Sequence, residues 1–209
     1  MRERTRRYRD RDGLTVPGST PASQPFNEHM QRVMQPVVAL PAGSTVLDAG
    51  CGQGDVSRWL AEQAGHHVLG IDLELKDIVA TNGPRALPTG GTLDLRRGDF
   101  LALTSPRPYE AVLLLGVLHY AGSADGVRRM LRGADSLAAS AAPLAVSWIC
   151  DQVPLTYEQA YLPGRDLVKG TLADLGWSDR DSWERDVRHA HGGSPLHDHR
   201  VVYGVWDRS

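Results

Sequence analysis

The segment Val46-Leu47-Asp48-Ala49-Gly50-Cys51-Gly52-Gln53-Gly54 constrains this chain more than any other stretch. An apolar pair and an acid lead into glycines at alternate positions, directly ahead of an amphipathic run from Asp55 to Gln63. Glycine reaches backbone conformations closed to other residues and lets the main chain approach a ligand closely. The helix that follows presents free N–H groups at its start. A strand, a glycine turn and a helix in this order belong to an open α/β sheet, where ligands bind off the carboxyl ends of the strands. Dinucleotide enzymes, nucleotide-binding folds and plain tight turns all use glycine-rich turns, so the turn alone does not choose among them. A P-loop is excluded, because no Gly-Lys-Ser/Thr follows.

The surrounding pattern supplies the sheet. Val46 to Asp48 begins a buried strand, and the helix over Asp55 to Gln63 turns Val56, Trp59 and Leu60 inward. Then come a strand over Val68 to Leu73, a short helix from Leu75 to about Thr81, a strand over Leu93 to Arg97 and an apolar strand over Ala111 to Val117. A helix over Asp125 to Ala141 and a strand over Leu144 to Ile149 complete the alternation. Continuously apolar strands separated by amphipathic helices form a parallel sheet covered on both faces. Ahead of this lies a short helix within Phe26 to Leu40, which Pro36 is expected to break or kink. After Cys150 the sequence predicts a loop over Asp151 to Pro163, a helix from Arg165 to Leu175, and two strands over Ser182 to Ala190 and Arg200 to Trp206. The short link Gly192-Gly193-Ser194-Pro195 makes that last pair antiparallel. The expected fold is α/β in three layers, a doubly wound, mostly parallel sheet with a C-terminal antiparallel strand pair.

The glycine turn does not stand alone. The second strand ends in Gly70-Ile71-Asp72, whose acid falls about eighteen positions after Gly54 and is placed to bind ribose hydroxyls. Gly98-Asp99-Phe100 follows the third strand and Gly116-Val117-Leu118-His119-Tyr120 the fourth. In this order the four motifs resemble those of class I S-adenosylmethionine-dependent methyltransferases, which have a Rossmann-like fold, and the resemblance spans about Thr45 to Ile149. It implies that Gly50, Cys51 and Gly52 lie along the methionine part of S-adenosylmethionine. Asp48 then holds the α-ammonium directly or through water, and Asp72 accepts from both ribose hydroxyls. Asp99 accepts from the adenine amino group beside Phe100, and the Gly116 carbonyl is a second partner for the ammonium. Gly54, Leu73 and Val117 complete the implied cofactor set, while Leu118 and His119 fall near the sulfonium. Gly83-Pro84, Pro88 and Gly90-Gly91 interrupt the stretch where such enzymes carry a longer helix after the second strand.

Methyl transfer from a sulfonium is an in-line displacement, so holding donor and acceptor at near-attack distance supplies much of the acceleration. A hydroxyl or protonated amine also needs a base, and His119 stands at the ligand edge of the sheet as the candidate. Tyr157 and Tyr161 in the loop after the fifth strand can stack on an acceptor or pin the loop. His189, His191, His197 and His199 flank the terminal turn as two His-x-His pairs. They read first as a polar, exposed hairpin end, with substrate contact or metal binding as alternatives; nothing fixes a metal geometry, and none is assigned. Cys51 reads as a small residue of the binding loop, having no base to make it a nucleophile.

Composition narrows the acceptor. With 209 residues and 41% apolar content the chain holds one domain, expected over 25–209, preceded by a flexible arm over 1–24. In that arm Arg2, Arg4, Arg6, Arg7, Arg9 and Arg11 are offset by Glu3, Asp10 and Asp12. The net charge of −2 gives no global field for nucleic acid or anionic membrane. No apolar run approaches the ~20 residues of a spanning helix. Cys51 and Cys150 are the only cysteines and lack a framework, which fits a reducing compartment, and the expected location is cytoplasmic. The chain is therefore expected to methylate a small molecule, releasing S-adenosylhomocysteine, with oligomeric state left open. The alternatives are an RNA methyltransferase, which needs a basic face, a protein that binds the cofactor without transferring methyl, and a nicotinamide dehydrogenase, whose usual glycine spacing differs.

Overall fold

A computed structural model of the chain describes Phe26 and residues 28–153, 161–189 and 197–208. The arginine arm, Tyr157, His191 and the Gly192–Pro195 link lie outside the described residues. The elements in chain order are α1 (Glu28–Val38), β1 (Thr45–Ala49), α2 (Asp55–Gln63), β2 (His67–Asp72), β3 (Arg85–Ala86), β4 (Thr92–Arg97), β5 (Ala111–Leu115), α3 (Ala124–Leu137), β6 (Leu144–Val153), α4 (Arg165–Asp174), β7 (Trp177–His189) and β8 (His197–Arg208). They build a sheet of order β3-β4-β2-β1-β5-β6-β8-β7. The five strands from β4 to β6 pair in parallel, and β8 pairs antiparallel with both β6 and β7. The chain reverses its winding between β1 and β5, the place in an open α/β sheet where a crevice forms.

Two cores cover the two faces of this sheet, as the three-layer expectation requires. Met30, Val33, Met34 and Val37 of α1 and Val56, Leu60 and Ala61 of α2 pack on one face, with Val46, Leu113 and Tyr203. Val127, Leu131 and Ala134 of α3 and Val168 and Leu172 of α4 pack on the other, with Leu47, Val112, Trp148 and Trp206. Trp59 reaches inward only partly, and Phe26 meets its ring edge-on at 5.6 Å. The helix α1 continues two residues past Pro36. Pro36 has no N–H for the Arg32 carbonyl and so gives up one bond of the last turn, but the ladder resumes after it, where the Ala39 N–H donates to the Gln35 carbonyl. Trp183 Nε1 donates to His29 Nδ1 at 2.9 Å, and Arg32 lies over the Trp183 ring while bonding both oxygens of Asp181, which ties α1 to the β7 edge.

Four local expectations need correction, the first being the loop expected from Asp151, whose residues as far as Val153 instead continue β6 in register with β8. No helix forms over Leu75 to Thr81: Leu75 is buried, but the Thr81 N–H donates to the Leu95 carbonyl and the Leu95 N–H to Thr81 Oγ1. Those bonds draw the segment onto β4, and Arg85–Ala86 then adds a short antiparallel strand at that edge. The fourth expected strand ends at Leu115, because Gly116 turns to φ 69°. The following long helix stops at Leu137, where Tyr109 N–H donates to the Leu137 carbonyl and Ala139 N–H donates to that of Tyr109.

Candidate active site

At the carboxyl ends of β1 and β2 the main chain itself builds the site. Both the Gly50 and Cys51 N–H groups donate to the Ile71 carbonyl, at 2.8 and 3.2 Å, so the turn after β1 is sewn to the end of β2. Gly50 has φ 77°, and a Cβ on it would come within 2.5 Å of Val117 Cγ2, so no other residue fits there. The turn's next glycine brings its N–H to Asp72: Gly52 donates to Oδ2 at 2.8 Å, and Glu74 N–H donates to Oδ1 at 2.8 Å. One carboxylate is thus aimed by two backbone donors, with lone pairs left on both oxygens. Gly54, expected beside the cofactor, lies against a neighbouring strand. It lines neither cavity described below, and a Cβ there would meet Leu95 at 2.6 Å, so this glycine lets α2 start close against β4.

Asp48 lies under the turn, 2% exposed, and accepts a 2.6 Å hydrogen bond from Ser57 of α2. Burial raises its pKa to about 6; the Ser57 bond works against that shift and the nearby Asp72 adds to it. A Cβ on Gly70 would come within 2.5 Å of Ser57 Oγ, so the glycine of the second motif makes room for this pair. The Cys51 thiol is also raised by burial, Asp48 and Asp72 adding, which removes it as a nucleophile at neutral pH.

Two adjoining cavities share Gly50, Gly52, Asp72, Val117 and Tyr120 as a common wall. One, of about 270 Å³, continues past Leu73, Gly98, Asp99, Phe100 and Met130. Asp99 accepts from the Leu101 N–H at 2.9 Å, which starts a short 3-10 turn and buries Phe100. Leu73 is 67% exposed, an apolar side chain held in the open at the cavity's rim.

The other cavity, of about 90 Å³, runs from Asp48 and Cys51 past Gly116 and His119 to Ser147, Trp148 and Ile149 of β6, Val187 of β7 and His199 and Val201 of β8. Gly116 N–H donates to both the carbonyl and the hydroxyl of Ser147, at 2.8 and 3.1 Å, which fixes the turn after β5 against β6. His119 is 7% exposed, its ring 4.3 Å from that of Tyr120. Leu118, expected near the sulfonium, is buried in the core and lines neither cavity.

Tyr161 also lines neither cavity; it packs on the core, and its N–H donates to the His119 carbonyl at 3.1 Å. Together with the bond from Trp148 Nε1 to the Pro163 carbonyl, this anchors the chain at the cavity's edge, the second of its two expected roles. The terminal histidines do not behave as one exposed group. His199 is 3% exposed and part of the cavity wall, whereas His189 and His197 are backbone register partners on β7 and β8. Among the described residues no cluster of His, Cys, Asp and Glu has the form of a metal site.

Sequence reading missed Ser57, Gln53, Met130 and all of the β6–β8 wall except His199, for which substrate contact was one of the alternatives. Gln53 has a signal in hindsight, its side chain bridging the Glu74 carbonyl and the Lys76 N–H across the turn. For Trp148, Val187 and Val201 the only signal is strand alternation.

Residues 46–151 match the family model described as a methyltransferase domain. No curated protein sequence matches the chain. Among solved structures it is similar to magnesium protoporphyrin IX methyltransferase from Synechocystis with bound S-adenosylhomocysteine, at 22% identity and TM-score 0.62 over 99% of this chain and 94% of that one. It is also similar to the N-methyltransferase NodS from Bradyrhizobium japonicum in complex with S-adenosylhomocysteine, at 11% identity and TM-score 0.60 over 99% and 97%. A methyltransferase from Methanosarcina mazei gives 14% identity and TM-score 0.63 over 81% and 94%. With the family model covering half its length, over the four motifs and the crevice they build, the chain belongs to the methyltransferase-domain family and is a class I S-adenosylmethionine-dependent methyltransferase.

Proposed function

We propose that this enzyme methylates a small-molecule acceptor, with S-adenosylmethionine lying across the wall that the two cavities share. The observation that carries the reading is the contrast across that wall. One side offers open glycine backbone with the carboxylates of Asp72 and Asp99, and the other runs from Asp48 and Gly116 to an apolar wall of Trp148, Ile149, Val187 and Val201 with the imidazoles of His119 and His199. The residues fit the cofactor: a Cβ on Gly52 or Gly116 would meet nothing within 4 Å, so the main chain stands open where a ligand must approach. Asp72 keeps lone pairs for the ribose hydroxyls, and Asp99 with Leu73, Phe100 and Met130 supplies an acceptor and an apolar slot for adenine. Asp48, with the Gly116 carbonyl, takes the α-ammonium. When bound, the sulfonium supplies an electrophilic methyl group and departs as the neutral thioether of S-adenosylhomocysteine.

The chain's own contribution is then placement and proton handling. The shared wall holds the donor, the β6–β8 wall excludes water, and His119 takes the proton of the acceptor. A small molecule fits better than a polynucleotide, because the described residues lining both cavities include no Lys or Arg to meet phosphates. Among the described residues no helix is long and apolar enough to cross a membrane. A reducing cytoplasmic location suits two cysteines that are both free. The test is calorimetric titration with S-adenosylhomocysteine, followed by a screen of phenols, amines, thiols and selenite for S-adenosylhomocysteine release from S-adenosylmethionine. Binding, a raised melting temperature and release with one acceptor class support the reading. Absence of binding by folded protein at millimolar ligand overturns it.

A further inference from the structure

Gln53 stands between Gly52 and Gly54, half-buried, and its amide reaches across to the loop that follows β2. Its Nε2 donates to the Glu74 carbonyl at 3.2 Å, and its Oε1 accepts from the Lys76 N–H at 3.2 Å. A side-chain amide carries a donor and an acceptor side by side, so it can pair with two backbone groups of one segment as a neighbouring strand would. The same loop is tied to the turn through Asp72, which accepts from the Gly52 N–H and the Glu74 N–H. Glu74 is therefore held at both its N–H and its carbonyl. Leu73 lies between Asp72 and Glu74, and these bonds keep its backbone in place while its side chain stands 67% exposed at the rim of the larger cavity.

We infer that Gln53 is a positioning residue for the nucleoside half of the cofactor, clamping the loop after β2 so that Leu73 serves as a wall of the adenine slot. The inference rests on the methyl-transfer reading above and adds a residue to it. Of the apolar side chains that line this slot, Phe100 is buried and Met130 packs against the core, so the rest of the fold fixes both. Leu73 belongs to an exposed loop and has no such support. A wall that is already in place costs the ligand no ordering, whereas a loose one must be ordered as the ligand binds. Without the clamp the loop loses its bonds at Glu74 and Lys76, and affinity for the nucleoside falls. Gln53 acts through Leu73.

The test is calorimetry on the full chain with S-adenosylhomocysteine and with 5′-methylthioadenosine, which keeps the nucleoside and lacks the amino-acid end. Gln53→Ala is expected to weaken both ligands by the same factor, about fivefold, the size expected for one or two hydrogen bonds at their net strength, with a melting temperature close to the parent's. Gln53→Met, which keeps the length and removes both polar ends, is expected to lose as much. Leu73→Ala alone is expected to weaken both ligands about fivefold through lost apolar contact. Adding Gln53→Ala to it is expected to cost no more than about twofold further, because the clamp then holds a wall that is gone. Losses that multiply to about 25-fold in the double variant overturn the inference, since Gln53 then acts independently of Leu73. A larger loss for S-adenosylhomocysteine than for 5′-methylthioadenosine also overturns it, because the whole glycine turn has then loosened. Full affinity in either Gln53 variant does the same. If one of these variants fails to fold, the other carries the test; if neither folds, Gln53 serves the scaffold and the inference falls. Failure of S-adenosylhomocysteine to bind the parent removes the methyl-transfer reading and the clamp with it, whereas binding by the parent with any of the adverse results above removes only the clamp.

Discussion

On the β1–β2 side of the crevice the polar groups are held by main chain, and on the β6–β8 side by side chains that meet only in the folded sheet. Asp72 is aimed by the N–H groups of Gly52 and Glu74, and the turn hangs from the Ile71 carbonyl. Across the wall, His119, Val187 and His199 come from three separate parts of the chain and meet only in lining one cavity. A site built on backbone geometry demands glycine at particular positions and tolerates little else. A site built on converging side chains can change its lining one residue at a time without touching the scaffold. The cofactor side is the part a family holds in common, and the acceptor side is where one member can differ from another.

The sharpest way to break this comparison is to remove the one side chain on which the backbone side converges. Asp72→Ala should cost roughly 2–4 kcal/mol of affinity for S-adenosylhomocysteine, from two charge-assisted hydrogen bonds to ribose. The Gly52 and Glu74 N–H groups also lose their acceptor, so a thermal melt must accompany the titration. If the melting temperature falls while affinity survives, Asp72 serves the turn alone and the ribose assignment is wrong.

His119→Ala tests the other side. As the base, its loss should lower turnover by about a hundredfold or more at saturating cofactor and acceptor, with affinity for S-adenosylhomocysteine nearly unchanged. The reverse pattern, weaker cofactor binding with full turnover, would make it a wall of the cofactor cavity and leave proximity as the main source of rate.

This contrast also explains what could be read without the structure. The alternate glycines around Gly52, with Asp72 and Asp99 at the ends of successive strands, are local patterns whose spacing follows from a strand, a turn and a helix. The expected cofactor side therefore coincides with cavity-lining residues at Asp48, Gly50, Cys51, Gly52, Asp72, Leu73, Asp99, Phe100, Gly116 and Val117. Gly54 lines neither cavity, and a positive-φ glycine set against a neighbouring strand looks the same in sequence as one set against a ligand. His199 was named among the terminal histidines but read first as exposed, and its place in the cavity wall was hidden for a different reason. Its burial depends on the register of β8 against β6 and β7, a long-range pairing that no local window contains. The absent helix after Leu75 failed similarly, since the bonds between Thr81 and Leu95 decide it.

A milder test varies pH. The Asp48 carboxyl has an ordinary pKa of 3.8, and burial in the fold raises it to about 6, so the fold favours its acid form. The sign follows directly: stability from this group is fully present below pH 3.8 and is lost as pH rises through 6, by about 3 kcal/mol from that shift. An ammonium bound to Asp48 favours the carboxylate, so ligand binding expels the proton. Affinity for S-adenosylhomocysteine should therefore drop about tenfold between pH 7 and pH 5, and Asp48→Asn should flatten both profiles. A flat affinity profile in the parent would mean that Asp48 stays in one protonation state and does not meet the ammonium directly.

The smallest expected effect lies at Ser57, where a side chain supports the backbone-built side from beneath. Its hydroxyl donates to Asp48 at 2.6 Å and holds the carboxylate's pKa below the level that burial alone would set. Ser57→Ala removes the donor without adding bulk, so the midpoint of the pH-dependent affinity should move upward by about one pH unit, the worth of one hydrogen bond to a charged group. At pH 7 that shift leaves about half of the Asp48 groups ionised in the ligand-free protein, and affinity falls only about twofold. At pH 9 the carboxylate is ionised in parent and variant alike, so the proton-linked part of the difference vanishes. Calorimetry across this range separates two roles for Ser57. A loss that fades as pH rises shows the hydroxyl acting through the charge of Asp48. A loss constant from pH 5 to pH 9 instead makes Ser57 a packing residue beneath Gly70.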